Sequence, residues 1–340
     1  MTLDLIIPVY KNIPQLYRTL LSVGMECDPK KLSVTIVDDF SEQDEKYDDV
    51  IKFFSKFFPV RVIKSKKNGG PGIARQLGLG MTHSEYVTFV DCGDTYVTPT
   101  TLRDMMEVVE ENPDIEFFSW AHNEEDSYGN ITVTSAGHNR MHGKIYKREM
   151  LERYGIHFSE ESPRANEDIG FNINCRLHLR DLEEKTGKEL IFQNETPMTN
   201  WKWTGPSIVR ANDCAFYYQK QAMGLGICAG EAIDNAIKNG VNHKIITGEI
   251  YECMSSEFIF YLSCLNRRPE FLDEVKAGVK YFYEKYFKRI PVKDQNAEQF
   301  KDAWYNTLAC SLNDPYDPIR DKFVSLDIIQ WLNEVEKWVI

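Results

Sequence analysis

The first ninety residues repeat one pattern: a short apolar, β-prone run, then polar residues, then an amphipathic helical stretch. Leu3–Val9 is an apolar run with its stop expected near Pro8, and Asn12 with Pro14 then opens a helix carrying Leu16, Leu20 and Leu21. Residues 32–37 repeat the run and end on Asp38-Asp39, leading through Ser41 into a helix over about 46–57. Residues 60–63 form a third strand. Such alternation forces a doubly wound, mainly parallel sheet with right-handed crossovers and helices on both faces. The expected fold class is therefore α/β, a Rossmann-like sheet with flanking helices.

The run Glu85-Tyr86-Val87-Thr88-Phe89-Val90 goes straight into Asp91-Cys92-Gly93-Asp94. Open α/β sheets gather ligand-binding residues where strands leave at their carboxyl ends. Asp91 and Asp94 flank a turn loosened by Gly93, and their carboxylates suit a hard divalent cation such as Mg²⁺ or Mn²⁺. Asp and Gly are also ordinary turn residues, so spacing alone leaves both readings open. Upstream, Asn68-Gly69-Gly70-Pro71-Gly72-Ile73-Ala74-Arg75 places glycines and a proline ahead of a helical run. A helix N-terminus favours a phosphate and Arg75 offers it a cationic fork, although a plain loop-to-helix connection accounts for the same residues.

Further on, a helix is expected after Thr98-Pro99-Thr100, a strand over 115–120 and a β-hairpin arm over 130–134. His142, Lys144 and Lys147 form a basic cluster that is either a phosphate contact or a surface patch. Asn166-Glu167-Asp168 opens another helix. Residues 190–192 and 198–203 read as two strands flanking Pro197, with Trp201 and Trp203 on one face, placed for stacking on a sugar or base or for the core. Beyond Asn212 the pattern is helical and aromatic-rich, including residues 323–339. The expected domains are therefore 1–211, the α/β part, and 212–340, all helical.

With 42% apolar residues among 340, the chain can bury a substantial core. Its net charge of −12 argues against a generally basic, nucleic-acid-binding surface. The eight cysteines show neither a CxxC pair nor metal spacing, as expected of reduced thiols in a cytoplasmic protein. No basic region precedes the first apolar run and no run reaches membrane-spanning length, so no transmembrane segment is expected.

Taken in order, Ile7-Pro8-Val9-Tyr10, Val37-Asp38-Asp39, the block from Asn68 to Gly78, Phe89-Val90-Asp91-Cys92-Gly93-Asp94 and Asn166-Glu167-Asp168 resemble the family 2 glycosyltransferases of the GT-A fold. His142-Gly143-Lys144-Ile145-Tyr146-Lys147 and Gly205-Pro206-Ser207-Ile208 are similar to segments of its bacterial and phage members. The resemblance covers about two-thirds of the chain. It implies an inverting, metal-dependent enzyme that moves a sugar from a nucleotide diphosphate, a UDP-sugar, to the hydroxyl of a glycan or similar acceptor. It implies Pro8, Tyr10, Asp39, Asn68, Gly70, Arg75, Asp91, His142 and Lys144 around the donor, with Asp38 structural. Asp91 and Asp94 would hold Mn²⁺ or Mg²⁺. Asp168 would be the base, and Glu167, Trp201 and Trp203 would position the acceptor. Many members carry an acid where this chain has Gly93, which puts the cation in doubt. A nucleotide-sugar binder without catalysis and a transferase acting on a hydroxymethylated nucleic-acid base are the alternatives, the second disfavoured by charge.

Overall fold

The computed structural model describes residues 1–24, 26–41, 44–126, 128–202, 211–291, 295–311, 332–333 and 335–337. It divides into a sheet unit, Met1–Arg164 with Leu182–Gly205, and a helical unit, Ala165–Asp181 with Pro206–Ile340.

In the sheet unit, β1 (Leu3–Val9), β2 (Leu32–Asp38), β3 (Val60–Lys64) and β4 (Tyr86–Phe89) lie parallel in the order β3-β2-β1-β4. They are joined by α1 (Ile13–Val23), α2 (Asp44–Phe54) and α3 (Pro71–Met81). Every residue of β1 is buried, as expected for a strand covered on both faces. Leu5 and Ile7 join the core with Leu16 and Leu20 of α1. Ile6 turns to the other face, where α3 approaches so closely that a Cβ on Gly78 would lie 2.5 Å from Ile6 Cγ2.

The sheet continues through β8 (Lys144–Lys147), β6 (Phe117–Glu125), β9 (Ile191–Lys202) and β5 (Thr95–Tyr96). Strand β8 is antiparallel to both β4 and β6, so the sheet is mixed. The expected hairpin arm is β7 (Ile131–Thr134), antiparallel to β6. Helices α4 (Thr101–Glu111) and α5 (Arg148–Tyr154) complete the unit, with the start of α4 as expected.

Three expectations are corrected. Strand β1 does not stop at Pro8 but pairs with β2 through Val9. The two strands expected around Pro197 are one strand, β9, whose register against β6 shifts between Trp120 and His122. That irregularity accommodates Pro197, which has no N–H for the ladder. The domain division also differs: the helical unit begins at Pro206 and takes in 165–181.

The physical cause is α6 (Glu167–Thr186), whose Ile173 and Leu177 pack into the helical core. That core also draws on α7 (Ala211–Lys238), α8 (His243–Arg267), α9 (Leu272–Lys285) and α10 (Ala297–Ser311). Small residues permit close approach: a Cβ on Gly170 of α6 would sit 2.7 Å from the Cys228 backbone, and one on Gly278 of α9 2.5 Å from Met223 N. Among the described residues no helix is long and apolar enough to cross a membrane. Trp203 and most of the helix expected over 323–339 lie outside the described residues.

Candidate active site

Strand order reverses between β1 and β4: β2 and β3 lie to one side of β1, and the chain returns through α3 to the other. A crevice at the carboxyl ends of the strands is the usual ligand site at such a point. Pro8 contributes directly. Val90 N bonds Ile6 O at 3.2 Å, and the next ladder bond in this register would need an N–H on residue 8. Proline has none, so pairing of β1 with β4 ends there.

The loops at these strand ends are tied to one another. Asp39 N bonds Val9 O at 2.7 Å, Lys11 N donates to Ser41 Oγ at 2.7 Å, and Asp38 caps its own turn by accepting from Ser41 N at 2.9 Å. Lys11 and Phe40 take positive φ, 53° and 65°, a conformation side chains other than glycine's seldom adopt. Tyr10 and Phe40 stay half-exposed beside them, with Lys11 Nζ 5.1 Å from the Tyr10 ring centre.

The glycine-rich block closes on an anion inside the protein. The amides of Gly69 and Gly70 donate to the two oxygens of Asp39, each at 2.8 Å, and Gly72 N bonds Pro163 O at 2.9 Å. The loop that enters α3 is therefore closed on the chain's own carboxylate, which satisfies the amides of Gly69 and of the capping Gly70. Gly70 sits at φ 91° with Arg164 packed where a Cβ would go, and the Arg164 guanidinium donates to the Asn68 carbonyl at 3.0 Å and to its side-chain oxygen. Asp39→Ala strands both amides and should lower stability by about 2 kcal/mol. An unchanged urea midpoint would show that the loop does not depend on it.

Arg75 is 2% exposed, its Nη2 2.5 Å from Asp91 Oδ1 and its guanidinium carbon 5.7 Å from the Phe158 ring centre. This corrects the expected direct grip on phosphate: Arg75 neutralises and orients Asp91 from within. Asp91 itself keeps 41% of its side chain exposed.

The turn after β4 is pinned at several points. Asp94 N bonds Asp91 O at 3.0 Å, while the Thr19 hydroxyl donates to Asp94 O at 2.8 Å and accepts from Gly93 N at 2.9 Å. Gly93 takes φ 110°, a conformation that glycine adopts without a Cβ clash. The Cys92 thiol between the acids is pushed up to about 12 by burial and by the charges of Asp91 and Asp94, so it is not a nucleophile.

Asp94 is corrected as a cation ligand: it is 7% exposed, with Oδ2 3.3 Å from His142 Nδ1. Lys144 is corrected as a donor contact, being 1% exposed with its Nζ donating to Ser119 Oγ at 2.8 Å. His142 lies between, its side chain 10% exposed. Among the described residues no group of three or more His, Cys, Asp and Glu side chains is arranged to hold a metal. Among the described residues of this turn, Asp91 offers one half-exposed carboxylate, and Mg²⁺ commonly takes one or two protein carboxylates with substrate phosphates and water.

Asp168 and Glu167 belong to the helical unit, at the start of α6. Glu167 is buried; the partly exposed Asp168 accepts from Ile169 N at 2.9 Å through Oδ1. Asn166 before them takes φ 60° and donates from Nδ2 to Gln221 O at 2.7 Å. Trp201, half-buried on β9, pairs in register with Glu124 of β6.

Sequence reasoning did not pick out Thr19, Phe40, Arg164, His122 or His138. Only the histidines left a trace, since three of the chain's seven fall within residues 122–142.

A mixed, mostly parallel sheet with its crevice at the β1/β4 reversal is the GT-A fold of glycosyltransferases. Residues 4–168 match the family model described as Glycosyl transferase family 2. An uncharacterized glycosyltransferase of Haemophilus influenzae is 29% identical over 115 residues, 34% of this chain and 37% of that protein. The poly(ribitol-phosphate) beta-N-acetylglucosaminyltransferase TarS of Staphylococcus aureus is 32% identical over 114 residues, 33% of this chain and 19% of its own length. The matched part therefore spans well under half of either relative. Among solved structures, S. aureus TarS 1–349 in complex with UDP-GlcNAc shares the fold at TM-score 0.65 and 17% identity, over 90% of each chain. The mannosyltransferase PcManGT of Pyrobaculum calidifontis, in complex with GDP-Man and Mn²⁺, does so at TM-score 0.53 and 14% identity, over 95% of this chain and 84% of that one.

Proposed function

We propose that this protein is an inverting glycosyltransferase that moves a sugar from a nucleotide diphosphate, a UDP-sugar, to the hydroxyl of a glycan or similar acceptor. The observation that carries this reading is the set of stapled loops at the β1/β4 reversal, which leaves Tyr10, Phe40 and Asp91 exposed beside a largely buried frame. The solved relatives hold UDP-GlcNAc, UDP or GDP-Man, which supports a nucleotide-sugar donor.

In this reading the Tyr10 ring offers a face to the base, and each Asp39 oxygen keeps one lone pair beyond its bond to the glycine loop. Asn68 and Gly70 form the wall. Asp91 holds the divalent cation, Mn²⁺ or Mg²⁺, which when bound offsets the charge that grows on the leaving diphosphate. Asp168 takes the acceptor proton, Glu167 and Trp201 position the acceptor, and one displacement inverts the anomeric centre. The six described cysteines with free thiols support a reducing, cytoplasmic setting.

Thermal shift across a nucleotide-sugar panel finds the donor, because a ligand of the folded state raises the melting temperature. Calorimetry with UDP should show Mn²⁺-dependent binding that Asp91→Asn weakens about tenfold or more. Equal affinity in that variant would remove Asp91 from the cation. The burial of Asp94 and the glycine at position 93 favour one second reading, a nucleotide-sugar binder without catalysis. Mn²⁺-dependent release of UDP from the UDP-sugar decides against it.

A further inference from the structure

Residues 163–164 lie against the glycine-rich loop, and both belong to the sheet unit. Gly72 N bonds Pro163 O at 2.9 Å, and the Arg164 side chain crosses Gly70, where a Cβ would come within 2.3 Å of Arg164 Cγ and 2.9 Å of its Nε. A larger residue at position 70 would push that side chain away. Arg164 Nη2 donates to both oxygens of Asn68, the backbone carbonyl at 3.0 Å and the side-chain Oδ1. The guanidinium is thus seated on the loop although Arg164 is exposed.

Its partners are neutral. Asn68 supplies hydrogen bonds and no charge, and among the described residues no carboxylate pairs with Arg164 and no acceptor meets its Nε or Nη1. The neighbouring cations differ. Arg75 is buried with Asp91 matching its charge at 2.5 Å, and Lys144 is buried against Ser119. Lys66 and Lys67, just before Asn68, are exposed and make no hydrogen bond or ion pair among the described residues, so nothing fixes their ammonium groups. Arg164 is therefore a cation that the fold orients and leaves uncompensated. Holding a long side chain in one rotamer sacrifices entropy, and a guanidinium fixed in this way suits phosphate oxygens.

Its position fits a diphosphate. The loop beneath it bonds Asp39 through the amides of Gly69 and Gly70, and Asp39 N bonds Val9 O next to Tyr10. In the other direction α3 runs from the capping Gly70 to Arg75, about 7 Å along the helix axis, where Arg75 meets Asp91. A donor whose base lies at Tyr10 and Asp39 and whose phosphates reach a cation on Asp91 passes this loop. The amides of Gly69 and Gly70 are already given to Asp39, so a phosphate there needs another donor.

We propose that Arg164 is a donor-binding residue that hydrogen-bonds the diphosphate of the nucleotide sugar, the role that Arg75, turned onto Asp91, does not take. This rests on the glycosyltransferase reading.

The test uses the full chain with Mn²⁺, UDP by calorimetry and uridine by ligand-detected NMR, in Arg164→Met and Arg164→Lys. A charge-assisted hydrogen bond to phosphate corresponds to about ten- to a hundredfold in affinity. Arg164→Met should therefore weaken UDP by that factor and leave uridine within about twofold of native, while Arg164→Lys, which keeps the charge and loses the planar fork, should fall between. A Met variant with native UDP affinity overturns the proposal. So does a Met variant in which uridine weakens as much as UDP, since Arg164 then only shapes the loop at Asn68, and so does a Lys variant no better than Met. All three leave the glycosyltransferase reading intact. A native protein that binds no nucleotide sugar overturns that reading instead. Inorganic pyrophosphate then decides Arg164: weaker binding in the Met variant keeps it as an anion-binding residue, and equal or absent binding in both proteins removes it.

Discussion

Asp168→Asn should abolish sugar transfer while UDP affinity stays within about twofold of native. The substitution keeps shape and removes the capacity to take a proton, which general-base catalysis values at about 10²–10⁴ in rate. It also keeps the local structure, because the asparagine Oδ1 can still accept from Ile169 N as Asp168 Oδ1 does at 2.9 Å. Fold and catalysis are thereby separated: the start of α6 survives and the proposed base does not. Single-turnover transfer with a saturating UDP-sugar, beside UDP calorimetry, reads both quantities. Transfer above about a tenth of native would assign the proton to another group.

Arg176→Met should destabilise the helical unit by about 3–5 kcal/mol, the usual result of removing one partner of a buried ion pair. Arg176 on α6 donates from Nη2 to both oxygens of Glu249 on α8 at 3.3 and 3.2 Å, and the two side chains are 7% and 2% exposed. Burial holds the Glu249 carboxyl above its ordinary range, and Arg176 is the largest influence pulling it down. Without Arg176, burial and the neighbouring Glu252 push the same way, so the folded variant binds that proton more tightly than the unfolded chain does. The unfolded chain is common to both proteins, so the deficit should be smallest while Glu249 stays protonated in the native fold and should grow as pH rises above the ordinary carboxylate range, through the raised native value. The double variant Arg176→Met, Glu249→Leu should recover most of the loss, since an apolar pair needs no desolvation. Urea unfolding at several pH values tests both statements. A deficit independent of pH would locate the cost in packing and not in the stranded acid.

The two predictions differ in how far the sequence alone could have led to them. Asp168 stands out in the sequence as a candidate base because a short acidic motif opening a helix is read locally. The Arg176–Glu249 pair was not: Arg176 looks like one more polar residue of α6, and its partner lies 73 positions away. The glycine-rich block shows the same limit. Its composition announces a loop that closes on an anion, and a phosphate is the natural guess, yet the anion is Asp39 from 31 positions upstream. Arg75 likewise reads as a phosphate fork until the fold buries it against Asp91 and Phe158. Pro8 misled in the other direction: proline usually ends a strand, but here only its pairing toward β4 is lost while pairing with β2 continues.

By itself the sequence determined the alternation of strand and helix, the parallel core of the sheet and the strand ends where chemistry gathers. Period and composition act over a few residues, and a strand buried on both faces must be apolar throughout. Tertiary structure alone decided which charged groups face the crevice and which are consumed in holding it. Asp91 faces outward, whereas Asp94 is buried and Arg75 and Lys144 are turned onto Asp91 and Ser119. The reason is that a buried polar group must find a partner wherever the folded chain supplies one, and distance in space carries no signature in local order.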